Sequence, residues 1–296
     1  SVKDMSLTQV TVMTDVFNRE GEIFDVTAKA SNVSAPEGLI ADAAKITNSD
    51  EAQIRITGAQ SVIDSVASVV ALADVNQLIK ETADFDGSIH LFDSNGNEIK
   101  SDYIFTEFDK ATVTVPISMK KEVPVVVTFA NAPDKNPIKA TTDVSTVTVK
   151  GAPSVIEKLK SVDLEPIDFA DITPTSTVFT QSIVMPESVE SSDGIVEVTV
   201  TLDLGGFSSR TVIVDNSCFS PKNVTKGLSA TMNSFSVTII GPTSALRSLS
   251  VDDISVIADM STYSKGEHSG VPVTVKVRNH PTLWAAGVYT ADIKQS

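Results

Sequence analysis

Three stretches of this 296-residue chain are variations on one theme. QIRITGAQSVIDSVASVVALADVNQL begins at Gln53, TVTVKGAPSVIEKLKSVDLEPIDFADI at Thr146, and SVTIIGPTSALRSLSVDDISVIADMSTY at Ser236. A repeat with a period of about ninety residues means that one supersecondary design is used again and again, and it restricts the fold more than any single motif does.

Each stretch opens on alternating apolar residues: Ile54 and Ile56, Val147 and Val149, Val237 and Ile239. A period of two belongs to a strand with one buried face. Each strand meets a glycine, Gly58, Gly151 or Gly241, where a positive φ or a close backbone approach is expected. Three residues on stands Ser61, Ser154 or Ser244, each followed by apolar residues at helical spacing. This predicts a short helix with the serine as its N-cap, typically a contribution of about 1 kcal/mol. Asp74, Asp168 and Asp259 follow in similar company and are expected to end a strand and accept bonds from turn amides. A phosphate cradle is a poor reading of Gly-x-x-Ser here, because no lysine follows and no GxxxxGK pattern exists.

A further alternating strand closes each unit: ATVTVPISM from Ala111, IVEVTVTLD from Ile195 and GVPVTVKVR from Gly270. Apolar strands also precede the shared motif, in EVPVVVTFANAP and RTVIVDNSCFSPKN. The first unit opens less clearly, with TQVTVMTDVFNREGEIFDVTAKA, and is long enough for extra strands. It contains SIHLFDSNGNEIKSDYIF, where Asn95-Gly96 between alternating runs predicts a tight hairpin, since both turn residues tolerate positive φ. DSNGNE is not a calcium loop of the EF-hand type, since its glycine and distal acid are out of place.

The formal net charge of −15 excludes a polyanion such as nucleic acid as partner, because no basic stretch exists to release counterions. The lone cysteine, Cys218, excludes an internal disulfide and a cysteine zinc site. Such usage fits a cytosolic protein and equally an exported protein from a bacterium that avoids disulfides. No apolar run is long enough to span a membrane, and no signal peptide opens the chain. The start at Ser1 is consistent with a trimmed chain whose anchor lay upstream.

Enzymatic signatures are missing. His90, His268 and His280 form no HxH or HxxxH pair, and no GxSxG elbow occurs. Asp252-Asp253 reads as a solvated turn pair. A glycosidase site would call for opposed acids and aromatic platforms, and aromatic residues are 5% of the chain. Trp284, the single tryptophan, is either an exposed partner anchor or a core residue under the last strand, the second being expected. No catalytic, cofactor or metal residue is expected.

The order of alternating strand, Gly-[Ala/Pro]-x-Ser, short helix, aspartate, D-x-N-G hairpin and V-x-V-x-[Ile/Leu] resembles the YbbR-like repeat. The best matches are Thr146 to Asp171, Ser236 to Ser261 and Gln53 to Asn76, with the hairpin at Asp93 to Glu98. The resemblance implies a mainly β fold with one short helix per unit, in three tandem, close-set, elongated repeats at residues 1–118, 119–205 and 206–296. It also implies an N-terminal membrane helix absent from this chain and a place on the extracellular face of the cytoplasmic membrane of a Gram-positive bacterium. It further implies a non-enzymatic role in regulating the membrane diadenylate cyclase that makes cyclic di-AMP. The competing reading is a cell-surface adhesin or cell-wall binding protein of tandem β-sandwich modules. A helix at one place in every unit, which sandwiches do not require, sets that reading second. An enzyme with a composite site between units would need a deep, acid-lined pocket.

Overall fold

Alternation becomes strand almost everywhere it occurs in the computed structural model, which describes residues 14–296. The early part of the first opening strand, TQVTVM, lies outside the described residues. Two compact units are present. One comprises the chain up to Lys121 with Lys150–Lys158, and the other Glu122–Val149 with Leu159–Ser296.

In the first unit a long strand, β1 (Phe17–Ser34), is followed by β2 (Leu39–Ala41), β3 (Lys45–Ile46) and β4 (Gln53–Ala59). A one-turn helix, α1 (Gln60–Ile63), leads to β5 (Ser68–Leu78), β6 (Ala83–Phe92), β7 (Ile104–Thr106) and β8 (Lys110–Val115). The sheet order is β3-β8-β6-β5-β1-β4-β7. β1 is shared by two partners: it runs antiparallel to β4 in its first half and parallel to β5 in its second. Its neighbours' inward residues, Ile54, Ile56, Ile63, Val69, Ala71, Val113 and Val115, make one buried core. At roughly 25 cal/mol per Å² of apolar surface removed from water, this face is what makes the alternation cohere.

The next stretch contributes β9 (Ile117–Val126), β10 (Phe129–Ala130), β11 (Lys139–Thr142) and β12 (Thr146–Gly151), then α2 (Pro153–Ile156). After it come β13 (Val162–Leu164), β14 (Ile167–Asp168), β15 (Val178–Val184), β16 (Val189–Ser191) and β17 (Glu197–Asp203). The last stretch has β18 (Phe207–Val214), β19 (Phe219–Lys222), β20 (Ala230–Met232), β21 (Phe235–Pro242) and α3 (Thr243–Arg247). It ends with β22 (Ile254–Asp259), β23 (Gly266–Val277), β24 (Trp284–Ala286) and β25 (Tyr289–Gln295). The orders are β11-β17-β15-β13-β9-β12-β16, and β20-β25-β23-β22-β19 beside β18-β21-β24. The order of the first unit thus recurs in both. In the last stretch the shared long strand is interrupted by a 3-10 turn, Asn216–Cys218, whose cysteine is buried in the core.

Three expectations need correction. The serines are not N-caps. Ala59, Ala152 and Pro242 occupy the cap positions without a side-chain bond, and Ser61, Ser154 and Ser244 sit second inside their helices. A tertiary partner replaces the cap. The first helical amide is taken by a carbonyl just ahead of the opening strand: Gln60 N donates to Val16 O at 2.8 Å and Thr243 N to Gly206 O at 3.0 Å. The middle helix starts with Pro153, which has no amide to satisfy.

The third alternating strand was also matched to the wrong neighbour. GVPVTVKVR falls in β23, the counterpart of β6 and β15, whereas the counterpart of β8 and β17 is β25. Both positions have one buried face, so alternation cannot distinguish them. Finally, the turn at Asn95-Gly96 has only the glycine at positive φ. Gly96 N bonds Asp93 O, and the Asp93 carboxylate accepts the amides of Asn95 and Asn97. This aspartate-led turn displaces the two-residue type.

Two of the three glycines near the end of the shared strand, Gly58 and Gly241, do serve close approach. Gly58, at φ 146°, leaves no room for a Cβ against the Tyr103 carbonyl, and Gly241 none against the Leu283 side chain.

Candidate functional site

The three signature aspartates share one geometry. Each accepts a bond from an asparagine that directly follows, or nearly ends, the strand running parallel to its own. Asn32 Nδ2 donates to Asp74 at 2.7 Å, Asn131 Nδ2 to Asp168 at 2.7 Å and Asn223 Nδ2 to Asp259 at 3.0 Å. All three asparagines have left-handed backbones, with φ of 54°, 52° and 55°. Asparagine tolerates this region better than other non-glycine residues, and its amide can then reach across the parallel pair. Asp168 and Asp259 also accept the turn amides of Ala170 and Ser261. Asp74, against expectation, lies inside β5 rather than at its end, because β1 stays paired with β5 as far as Leu78, and it takes the Asn76 and Ser31 side chains in place of a turn amide. The Asn32 bond holds the Asp74 carboxyl below its usual range, and the Asn223 bond does the same for Asp259.

Sequence reasoning picked out the aspartates and missed the asparagines. The available signal was an asparagine at the end of each opening strand, in SNVS, ANAP and KNVT. It was hidden because the partner is an entire strand–helix–strand excursion away.

Beside the Asn131–Asp168 pair, within the second unit, a cleft of about 380 Å³ is lined by Asp134, Lys276, His280 and Tyr289 among others. Its floor is aromatic. Trp284 is 4% exposed and meets Phe169 edge-on, ring centres 5.0 Å apart at 88°. Phe207 lies 6.0 Å from the same ring. The indole Nε1 donates to Ile172 O at 3.3 Å, and Gly287 N to Ala170 O at 2.7 Å. Trp284 is therefore a core residue, and the core it serves joins the 3-10 turn Phe169–Asp171 to β24.

His280 and Tyr289 of the cleft are engaged structurally: the Tyr289 hydroxyl accepts Thr238 N at 2.9 Å. His280 Nε2 sits 3.3 Å from Asp253, which also accepts Asn279 Nδ2 and Ser250 N. Asp253 closes a capping box on the 3-10 turn Val251–Asp253, so it is not the solvated pair member expected from sequence. The Asn279 bond foremost, with Ser250 and His280, lowers its carboxyl. Among the described residues, no three His, Cys, Asp or Glu side chains converge as metal ligands. No helix among them is long and apolar enough to cross a membrane.

Residues 123–225 match the model of the YbbR-like protein family. A curated relative, the CdaA regulatory protein CdaR of Bacillus subtilis, is 27% identical over 253 residues, which is 81% of this chain and 50% of the relative. The chain thus spans about half the length of that relative. The crystal structure of a YbbR-like protein from Streptococcus pneumoniae is 14% identical, with a TM-score of 0.25, covering 68% of this chain and 98% of the other.

Proposed function

We propose, from the YbbR-like character of residues 123–225, that the chain is a non-enzymatic regulatory module acting by protein contact on a membrane diadenylate cyclase. The observation that carries this reading is the similarity to the CdaA regulatory protein CdaR along 81% of the chain. Three tandem repeats, at 1–118, 119–205 and 206–296, present the contact surfaces. The recurrence of one strand order and one helix position supports that division. The helices after Gly58, Gly151 and Gly241 also favour it over tandem sandwiches. The module works outside the cytoplasmic membrane, held by an upstream membrane helix. Regulation requires contacts that differ between two states of the cyclase.

The test is co-purification in detergent of the membrane-anchored protein with the cyclase of the same organism, with cyclic di-AMP synthesis measured with and without it. Co-elution with an altered rate is expected. Separate elution with an unchanged rate overturns the reading and turns the search to cell-wall ligands.

A further inference from the structure

Strand β23 loses one of its two partners partway along. Its pairing with β25 ends at Val273–Tyr289, because the residues before Tyr289 belong to β24 and pair with β21. From Thr274 to Val277 only the β22 side stays paired. The backbone groups of successive strand residues point to opposite edges. Arg278 N donates to Asp253 O on the β22 side, so the N–H and C=O of Val275 and Val277 point the other way. Both valines line the 380 Å³ cleft. Among the described residues, no hydrogen bond takes up these groups. An unpaired strand edge beside a cleft is a template for another strand.

The first unit shows what such an edge takes. The registers of β5 with β6 and of β22 with β23 make Leu91 the counterpart of Val277, His90 of Lys276 and Ile89 of Val275. There the edge is occupied by the chain's own returning segment. Ile99 N donates to Leu91 O at 2.8 Å, Phe92 bridges Glu98, and Ile89 N donates to Asp109 O at 2.9 Å. The Ile99 side chain packs on the core, and Glu98 reaches His90. The connection that supplies this segment runs over residues 93–103, whereas the one from β23 to β24 spans only 278–283 and sends nothing back.

We infer that the cleft beside Val275 and Val277 receives an extended segment of a partner protein, added antiparallel to β23, with an apolar residue in the place of Ile99. Charge narrows the segment further. Of the charged side chains lining the cleft, Asp168 is held by Asn131 and Ala170, and His280 by Asp253. Lys276 and Asp134 are exposed and have no partner among the described residues. Their opposite signs suit a segment with an acid on one side of the apolar residue and a base on the other, as Glu98 and Lys100 flank Ile99. This site does not rest on the cyclase reading, since the chemistry is the same whichever protein supplies the segment.

The probe is the peptide NEIKSDY, a copy of residues 97–103, added to the complete chain. Amide hydrogen exchange read by NMR is the primary measurement, and emission of Trp284 on the cleft floor gives the binding curve. In the chain alone, the Val275 and Val277 amides should exchange fast and the Lys276 amide, which faces β22, slowly. The peptide should slow Val275 and Val277 about tenfold or more and leave Lys276 unchanged. Methylating the peptide's isoleucine nitrogen removes the donor for Val277 O and should weaken binding about tenfold or more, with no change to the protein's fold. Protection of Val275 and Val277 before any peptide is added overturns the inference, because the edge is then already covered. So does an absence of slowing at millimolar peptide, equal binding of the methylated peptide, or slowing confined to Ile89 and Leu91 of the first unit.

Discussion

Replacing Trp284 should cost the second unit more than any other single truncation. The indole is 4% exposed, and its removal to alanine deletes most of a large buried side chain. Core Trp→Ala changes cost about 3–5 kcal/mol. Two further losses are specific to this site. The edge-on pair with Phe169 at 5.0 Å contributes about 0.5–1.5 kcal/mol beyond area. The Ile172 carbonyl loses its donor, a loss of about 1–3 kcal/mol if the group stays buried and dry. Trp284→Ala therefore belongs at or above the top of the usual range, and Trp284→Phe, which keeps a ring but no N–H, at about 1–3 kcal/mol. Urea unfolding followed by circular dichroism measures both. The wild type offers a second readout, since its only tryptophan should emit as a buried indole. A double-mutant cycle with Phe169→Leu should show coupling of about 1 kcal/mol. A cost below about 1 kcal/mol for Trp284→Ala, or strict additivity with Phe169→Leu, would refute the argument that the turn at Phe169 and β24 share one core.

Asn223→Ala should destabilise by about 1–2 kcal/mol, losing both the Asp259 bond and the tolerance for a left-handed backbone, while Asn223→Gly should cost less because only the bond is lost. Chemical denaturation of the two variants distinguishes them. Asp74, Asp253 and Asp259 should titrate below the ordinary aspartate value of about 3.9 in carbon-detected NMR, and Asn223→Ala should move Asp259 back toward it. The sign follows from depressed folded values. The stability these groups contribute is present above the unfolded pKa and lost as pH falls through the folded one, so acid unfolding should begin below about pH 4. Gly58→Ala should cost about 1–3 kcal/mol or more by thermal melting, because its Cβ meets the Tyr103 carbonyl at a φ that alanine avoids. A neutral Gly58→Ala would show that β7 can move aside.

Much of the fold is legible locally. Alternation at Ile54 and Ile56, Val147 and Val149, and Val237 and Ile239 marks strands, because burial of one face is a property of the strand itself. The glycine stops, the short helices and the recurrence of Asp74, Asp168 and Asp259 are visible for the same reason. Even the N-cap error is local in origin. A serine near a helix start is a sound capping signal when no tertiary partner competes, and here the carbonyls of Val16 and Gly206 compete.

What tertiary structure alone decided is how distant residues meet. Asn32, Asn131 and Asn223 have no sequence mark that pairs them with their aspartates, since the parallel pairing that unites them closes over an entire strand–helix–strand excursion. Trp284 and Phe169 lie far apart in the chain, and only the docking of a turn onto β24 makes them one core.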